Sequence, residues 1–147
     1  MVGSKRWRID ARDKLGLLWA ILQQFPTNTR ISFEGHLKGL ALTDIPGAST
    51  SETSVLARHT ISPRLDFVVL PITNETLRIL QREFSNPGLF GDGGAIVHIQ
   101  VEHASQLVLG AYDNLHRDCV VAYHPTPEPL LVRLRANSVI RSYAVAA

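Results

Sequence analysis

Residues 95–112, AIVHIQVEHASQLVLGAY, decide the fold. Val97, Ile99 and Val101 alternate with His98, Gln100 and Glu102. After a short turn at His103 to Ser105, Leu107, Leu109 and Ala111 alternate with Val108, Gly110 and Tyr112. Successive side chains of a strand point to opposite faces, so two such runs joined by a few residues make an antiparallel hairpin. The run DCVVAY at 118–123 adds a further apolar strand. Hairpins in succession favour an antiparallel or mixed sheet over a doubly wound parallel one, in which helices separate the strands.

Helical and strand periods alternate on either side of this hairpin. Leu15, Leu18, Trp19, Leu22 and Phe25 recur at spacings of three and four, which predicts a helix over 11–25 that Pro26 stops. Leu17, Ala20 and Ile21 widen its stripe, as expected of a helix packed on a sheet. RISFEG at 30–35 alternates as a half-buried strand. LDFVVLPI at 65–72 is almost continuously apolar, which places it centrally with cover on both faces. TNETLRILQREF predicts a helix capped by Thr73 or Asn74, with Leu77, Leu80 and Phe84 inward. TPEPLLVRLRAN predicts another, with Thr126 as cap and Leu130, Leu131 and Leu134 inward, and SVIRSYAV closes the pattern as a last strand. Strand-like residues from Val55 to Ile61 precede Pro63. Residues 36–53, with DIPGASTSET, are rich in turn formers, and Asp44 to Ser54 is expected to be the most mobile internal stretch. The expectation is an α+β fold: a mixed, mostly antiparallel sheet of about five to seven strands packed by about three helices. It forms one domain over 11–147, preceded by a basic leader over 1–10.

Composition narrows the classes. A chain of 147 residues with 45% hydrophobic and 19% charged residues is globular rather than disordered. A single cysteine rules out an internal disulfide. The apolar run Leu15 to Leu22 follows Lys5, Arg6 and Arg8, but Asp10 and Asp13 interrupt the basic region and no small-residue cleavage site follows. The run is too short to span a bilayer, and the reading is of a cytoplasmic, soluble protein with no membrane contact. The net charge of +2 is uneven: five of the fifteen basic residues lie within 1–14, beside two acidic ones. Trp7 among Lys5, Arg6 and Arg8 combines an aromatic with cations, the pattern of a nucleic-acid contact, or else anchors the fold.

AYDNLHRDCVV at 111–121 gathers the most chemistry-bearing residues. Asp113, His116 and Asp118 are ligand types for a hard metal or zinc, and could equally serve as acid–base groups. Cys119 could act as a nucleophile if a neighbouring histidine lowered its pKa; a small buried hydrophobe fits the position better. No established metal spacing is present, and Asp and Asn also serve simply to turn a chain between strands. His98, Gln100 and Glu102 share a strand face and read as a solvated outer surface, or as an acid–base patch if that face is open. Glu34 and His36 pose the same choice. GLFGDGG follows a helix and enters a strand, the reverse of a phosphate-binding glycine loop. Arg133, Arg135 and Arg141 form a small basic cluster. No motif specifies a cofactor. The leading expectation is a module that binds a protein partner: a regulator, an immunity-type protein or a subunit of a larger assembly. A small metal-dependent hydrolase or nuclease using 113–119 is the second, and nucleic-acid contact through Lys5, Arg6 and Arg8 the third.

Overall fold

The computed structural model describes residues 5–146. Its elements are β1 (Arg6–Ala11), α1 (Lys14–Gln24), β2 (Thr29–Gly35), β3 (Asp66–Pro71), α2 (Asn74–Glu83), β4 (Ile96–His103), β5 (Gln106–Ala111), β6 (Val120–Tyr123), α3 (Glu128–Ala136) and β7 (Ile140–Val145), with short 3-10 turns at Leu42–Asp44 and Pro87–Phe90. Among the described residues the seven strands form one sheet in the order β3-β2-β4-β5-β6-β1-β7, antiparallel throughout. The α+β class, the helix count and the strand count match the expectation; the sheet is not mixed. No helix among the described residues is long and apolar enough to cross a membrane.

The three helices contribute to one core with one face of the sheet. Leu17, Leu18, Ile21 and Leu22 of α1, Leu80 of α2, and Leu130, Leu131 and Leu134 of α3 pack with Ile9, Ile31, Phe33, Ile99, Val101 and Leu109. Asp13 caps α1 by accepting from the Gly16 N–H, and Thr73 caps α2 by accepting from the Thr76 N–H. Thr126 does not cap α3: its hydroxyl donates to the Val108 carbonyl, and Pro127 stands at the cap position with no side-chain bond.

Other expectations change as well. From Arg6 onward the leader is β1, whose Trp7 and Ile9 are core residues, while Arg6 and Arg8 are exposed. The strand sensed at Val55 to Ile61 is absent; 49–62 runs as a strap over the sheet's second face. LDFVVLPI forms an edge strand rather than a central one. It is apolar on both sides because the helices cover one face and the strap residue Leu56 packs on Phe67 and Val69 from the other. Asp44 to Ser54 contains attachment points: Ser49 exchanges two backbone hydrogen bonds with Val69, at 2.9 and 2.7 Å, and the Thr53 N–H donates to the Leu56 carbonyl at 2.9 Å.

The two ends of the sheet differ. Ser49 blocks the outer edge of β3. Among the described residues β7 is the other edge strand and is paired only with β1. The Ala146 N–H donates to the Arg6 carbonyl, and Arg8 lies opposite Ala144. By antiparallel alternation, Ala144 bonds towards β1, while the N–H and C=O of Tyr143 and Val145 point away from the sheet. The strap stops short of this end. Over β6, β1 and β7 the second face presents half-buried Val121 and Tyr123, exposed Arg6 and Arg8, and the short side chains of Ser142 and Ala144.

Candidate functional site

The register of β2 against β4 sets Glu34 opposite His98, Ser32 opposite Gln100 and Arg30 opposite Glu102. These side chains form a polar row on the strap-covered face. Glu34, His98, Gln100 and Glu102 are all buried, so the solvated outer surface expected for this strand is not what forms. A buried carboxylate must be paired or hydrogen-bonded. Glu102 is held by the Arg30 guanidinium at 2.7 Å and by the Thr53 hydroxyl at 3.0 Å. Among the described residues Glu34 pairs with no cation. Its oxygens accept the backbone N–H groups of His59 at 2.7 Å and Thr60 at 3.1 Å. Gln100 accepts from the Ala57 N–H at 3.0 Å and donates to the Tyr112 hydroxyl at 3.1 Å. The strap thus gives its backbone donors to side chains of the sheet, which is why it forms no ladder of its own.

His98 joins the strap to the 113–119 loop. Its Nδ1 accepts the Asp113 N–H at 3.1 Å, so in the neutral ring Nε2 carries the proton and donates to the Thr60 hydroxyl at 2.6 Å. Burial, the largest influence, pushes its pKa below the ordinary 6.5; Glu34 and Asp113 oppose that shift and His59 adds to it. With Nδ1 occupied by a backbone donor, Nε2 has no lone pair to accept the Thr60 proton. The pair is therefore a structural bond and not a general base with its nucleophile. Tyr112 lies back over Gly110: a Cβ at that glycine would stand 2.7 Å from the Tyr112 oxygen. The exposed His59 ring stacks on Tyr112 with centroids 3.9 Å apart.

The four residues singled out in 111–121 divide into two pairs. Asp113 and Cys119 meet beside His98, the thiol donating to Asp113 Oδ2 at 3.5 Å. Burial and then the Asp113 carboxylate push the Cys119 thiol up from its ordinary pKa, the opposite of what an activated nucleophile needs. His116 and Asp118 are both exposed, with Nδ1 and Oδ2 3.8 Å apart. Among the described residues no three His, Cys, Asp or Glu side chains come close enough to hold a metal ion. The loop itself is firmly built. Asp113, Asn114 and Leu115 all have positive φ, near 53°, 59° and 58°. Such a left-handed run of non-glycine residues persists only when its surroundings fix it. The Asn114 side chain donates to the Gly94 and Ile96 carbonyls, its N–H to the Val97 carbonyl, and Leu115 is buried in the core.

His36 is exposed and does not join Glu34. Trp7 is the fold anchor: it packs edge-on against Tyr143, and the Lys5 ammonium lies over its ring. Arg135 lies over the Tyr143 ring and Arg141 pairs with Asp10, so these two basic residues serve the β7 end of the sheet. Comparison with family models, with curated proteins and with solved structures finds no match.

Proposed function

We propose that the protein is a binding module that takes up an extended, acidic segment of a protein partner as an eighth strand beside β7. The observation that carries this reading is the contrast between the sheet's ends. Exposed edges template further pairing, and folded proteins usually block them. Here β3 is closed by Ser49, whereas β7 leaves Tyr143 and Val145 with outward backbone donors and acceptors. Strand addition at such an edge takes affinity from main-chain bonds and specificity from flanking side chains. Those flanking groups favour acidity. An added strand would lie about two strand spacings, or about 10 Å, from β1. Ala144 stands between it and Arg8, whose guanidinium has no hydrogen bond or ion pair to another described residue, while Asp10, opposite Ser142, is already paired with Arg141.

A metal-dependent hydrolase at 113–119 has less support, because its residues divide into two pairs and the thiol is held protonated. The test uses a photo-reactive residue at Ser142, with the same residue at Gln81 on α2 as control. Cross-links to a partner's acidic segment are expected from Ser142 alone. Val145→Pro removes one outward N–H while sparing the bonds to β1, and should weaken capture by about tenfold. Equal adducts from both positions, or capture unchanged by Val145→Pro, contradict the reading. Nucleic acid recovered at Ser142 in place of protein contradicts it as well.

A further inference from the structure

A cleft of about 620 Å³ opens between the 37–50 segment and the end of the strap that leads into β3. It lies at the opposite end of the sheet from β7 and is independent of the docking edge. Its apolar wall is Leu37, Leu42, Leu65 and Phe67, and Lys38 and Arg64 stand at its rim. A smaller cleft of about 290 Å³ shares Lys38, Arg64, Leu65 and Asp66 and adds His36, so the two cations and the Asp66 carboxylate stand where the hollows meet.

The charged groups divide into occupied and unoccupied ones. Arg58 is committed: its guanidinium lies over the Phe67 ring, 5.1 Å from the centroid, and donates to the Leu65 carbonyl. Asp66 is committed too, accepting the Leu37 N–H at 3.1 Å. Lys38 and Arg64 are exposed and make no hydrogen bond or ion pair with any described residue. Asp44 is the remaining acid of the wall. Ligand sites are concave, mostly apolar hollows of about 300–1,000 Å³ with a few converging polar groups. This cleft has that size, and its uncommitted side chains, the cations Lys38 and Arg64 and the acid Asp44, carry a net positive charge.

We propose that the cleft binds a small organic anion, with a carboxylate or phosphate head held by Lys38 and Arg64 and an apolar body lying against Leu42, Leu65 and Phe67. Arg64 suits a planar or tetrahedral oxyanion because its guanidinium can offer two parallel donors; Lys38 adds a point charge. The apolar wall accounts for selectivity, because a bare anion would leave half-buried Leu65 in water.

The probe is anilinonaphthalene sulfonate, an anion on an apolar body, followed by its fluorescence and by calorimetry on the full chain. One molecule should bind per chain, and phenyl phosphate or benzoate should displace it far better than inorganic phosphate. K38E and R64E should each weaken binding by at least tenfold. Both positions are exposed, so folding should be retained, which thermal melting checks. R82E, on the exposed surface of α2, is the charge-matched control and should bind as the parent does. T50W offers a second route, filling the hollow without a change of charge, and should also abolish binding. The proposal is overturned if the probe does not bind, if K38E and R64E bind like R82E, or if inorganic phosphate displaces the probe as well as phenyl phosphate does.

Discussion

Leu56→Ala tests whether the strap is part of the folded unit. Leu56 is 0% exposed and lies against Phe67 and Val69, themselves 3% and 4% exposed. Truncating a buried leucine removes its transfer energy and leaves a cavity, at a cost of about 2–5 kcal/mol depending on how far the site collapses. The cluster is small and the strap is not a helix or strand, so partial collapse is expected and the low end applies, about 2–3 kcal/mol. In urea, with a slope of about 1–3 kcal/mol/M, the midpoint should fall by about 1 M or more. Amide exchange separates the routes by which this happens. The His59 and Thr60 amides donate to buried Glu34, so in the variant they should exchange faster, yet remain slower than a free chain. A loss of only a few tenths of a kcal/mol, with unprotected His59 and Thr60 amides in the parent, would refute the packing of this segment on the sheet.

Two further outcomes follow from the site. Because burial holds His98 below its ordinary 6.5, the unfolded chain takes up that proton first as pH falls. Stability should therefore decline as pH drops through about 6.5 and level off below the folded value, and His98→Gln should flatten that decline in urea titrations; a variant with the parent's pH profile would show that His98 does not contribute. Cys119 should react with iodoacetamide more slowly than free cysteine, and Asp113→Asn should speed it several-fold by removing the carboxylate that holds the thiol proton; equal rates in parent and variant would contradict the pairing.

The helices and most strands were legible because each buries one face and so writes its period into the chain. Leu18, Leu22, Ile99 and Val101 report the core in this way. β1 carries the same signal, with Trp7, Ile9 and Ala11 alternating against Arg6, Arg8 and Asp10, but the cluster of charge drew the reading towards a leader. LDFVVLPI reports two covered faces correctly; sequence says nothing about whether the second cover is another layer of secondary structure or a loop. The polar row was hidden for a related reason. His98, Gln100 and Glu102 alternate as a solvated face does, and what makes them and the neighbouring Glu34 interior is a set of partners at Thr53, Ala57, His59 and Thr60, distant in the chain and without period. In 111–121 the residue types were visible, but the left-handed turn that separates Asp113 and Cys119 from His116 and Asp118 was not.

The most direct test of the docking edge is amide exchange at β7 in the free protein and with the captured partner bound. In the free protein the Tyr143 and Val145 amides should exchange rapidly, while the Ala144 and Ala146 amides, directed at β1, are protected. On binding, Tyr143 and Val145 should become protected and the other two should change little. Partner binding that leaves Tyr143 and Val145 in fast exchange would contradict strand addition at β7.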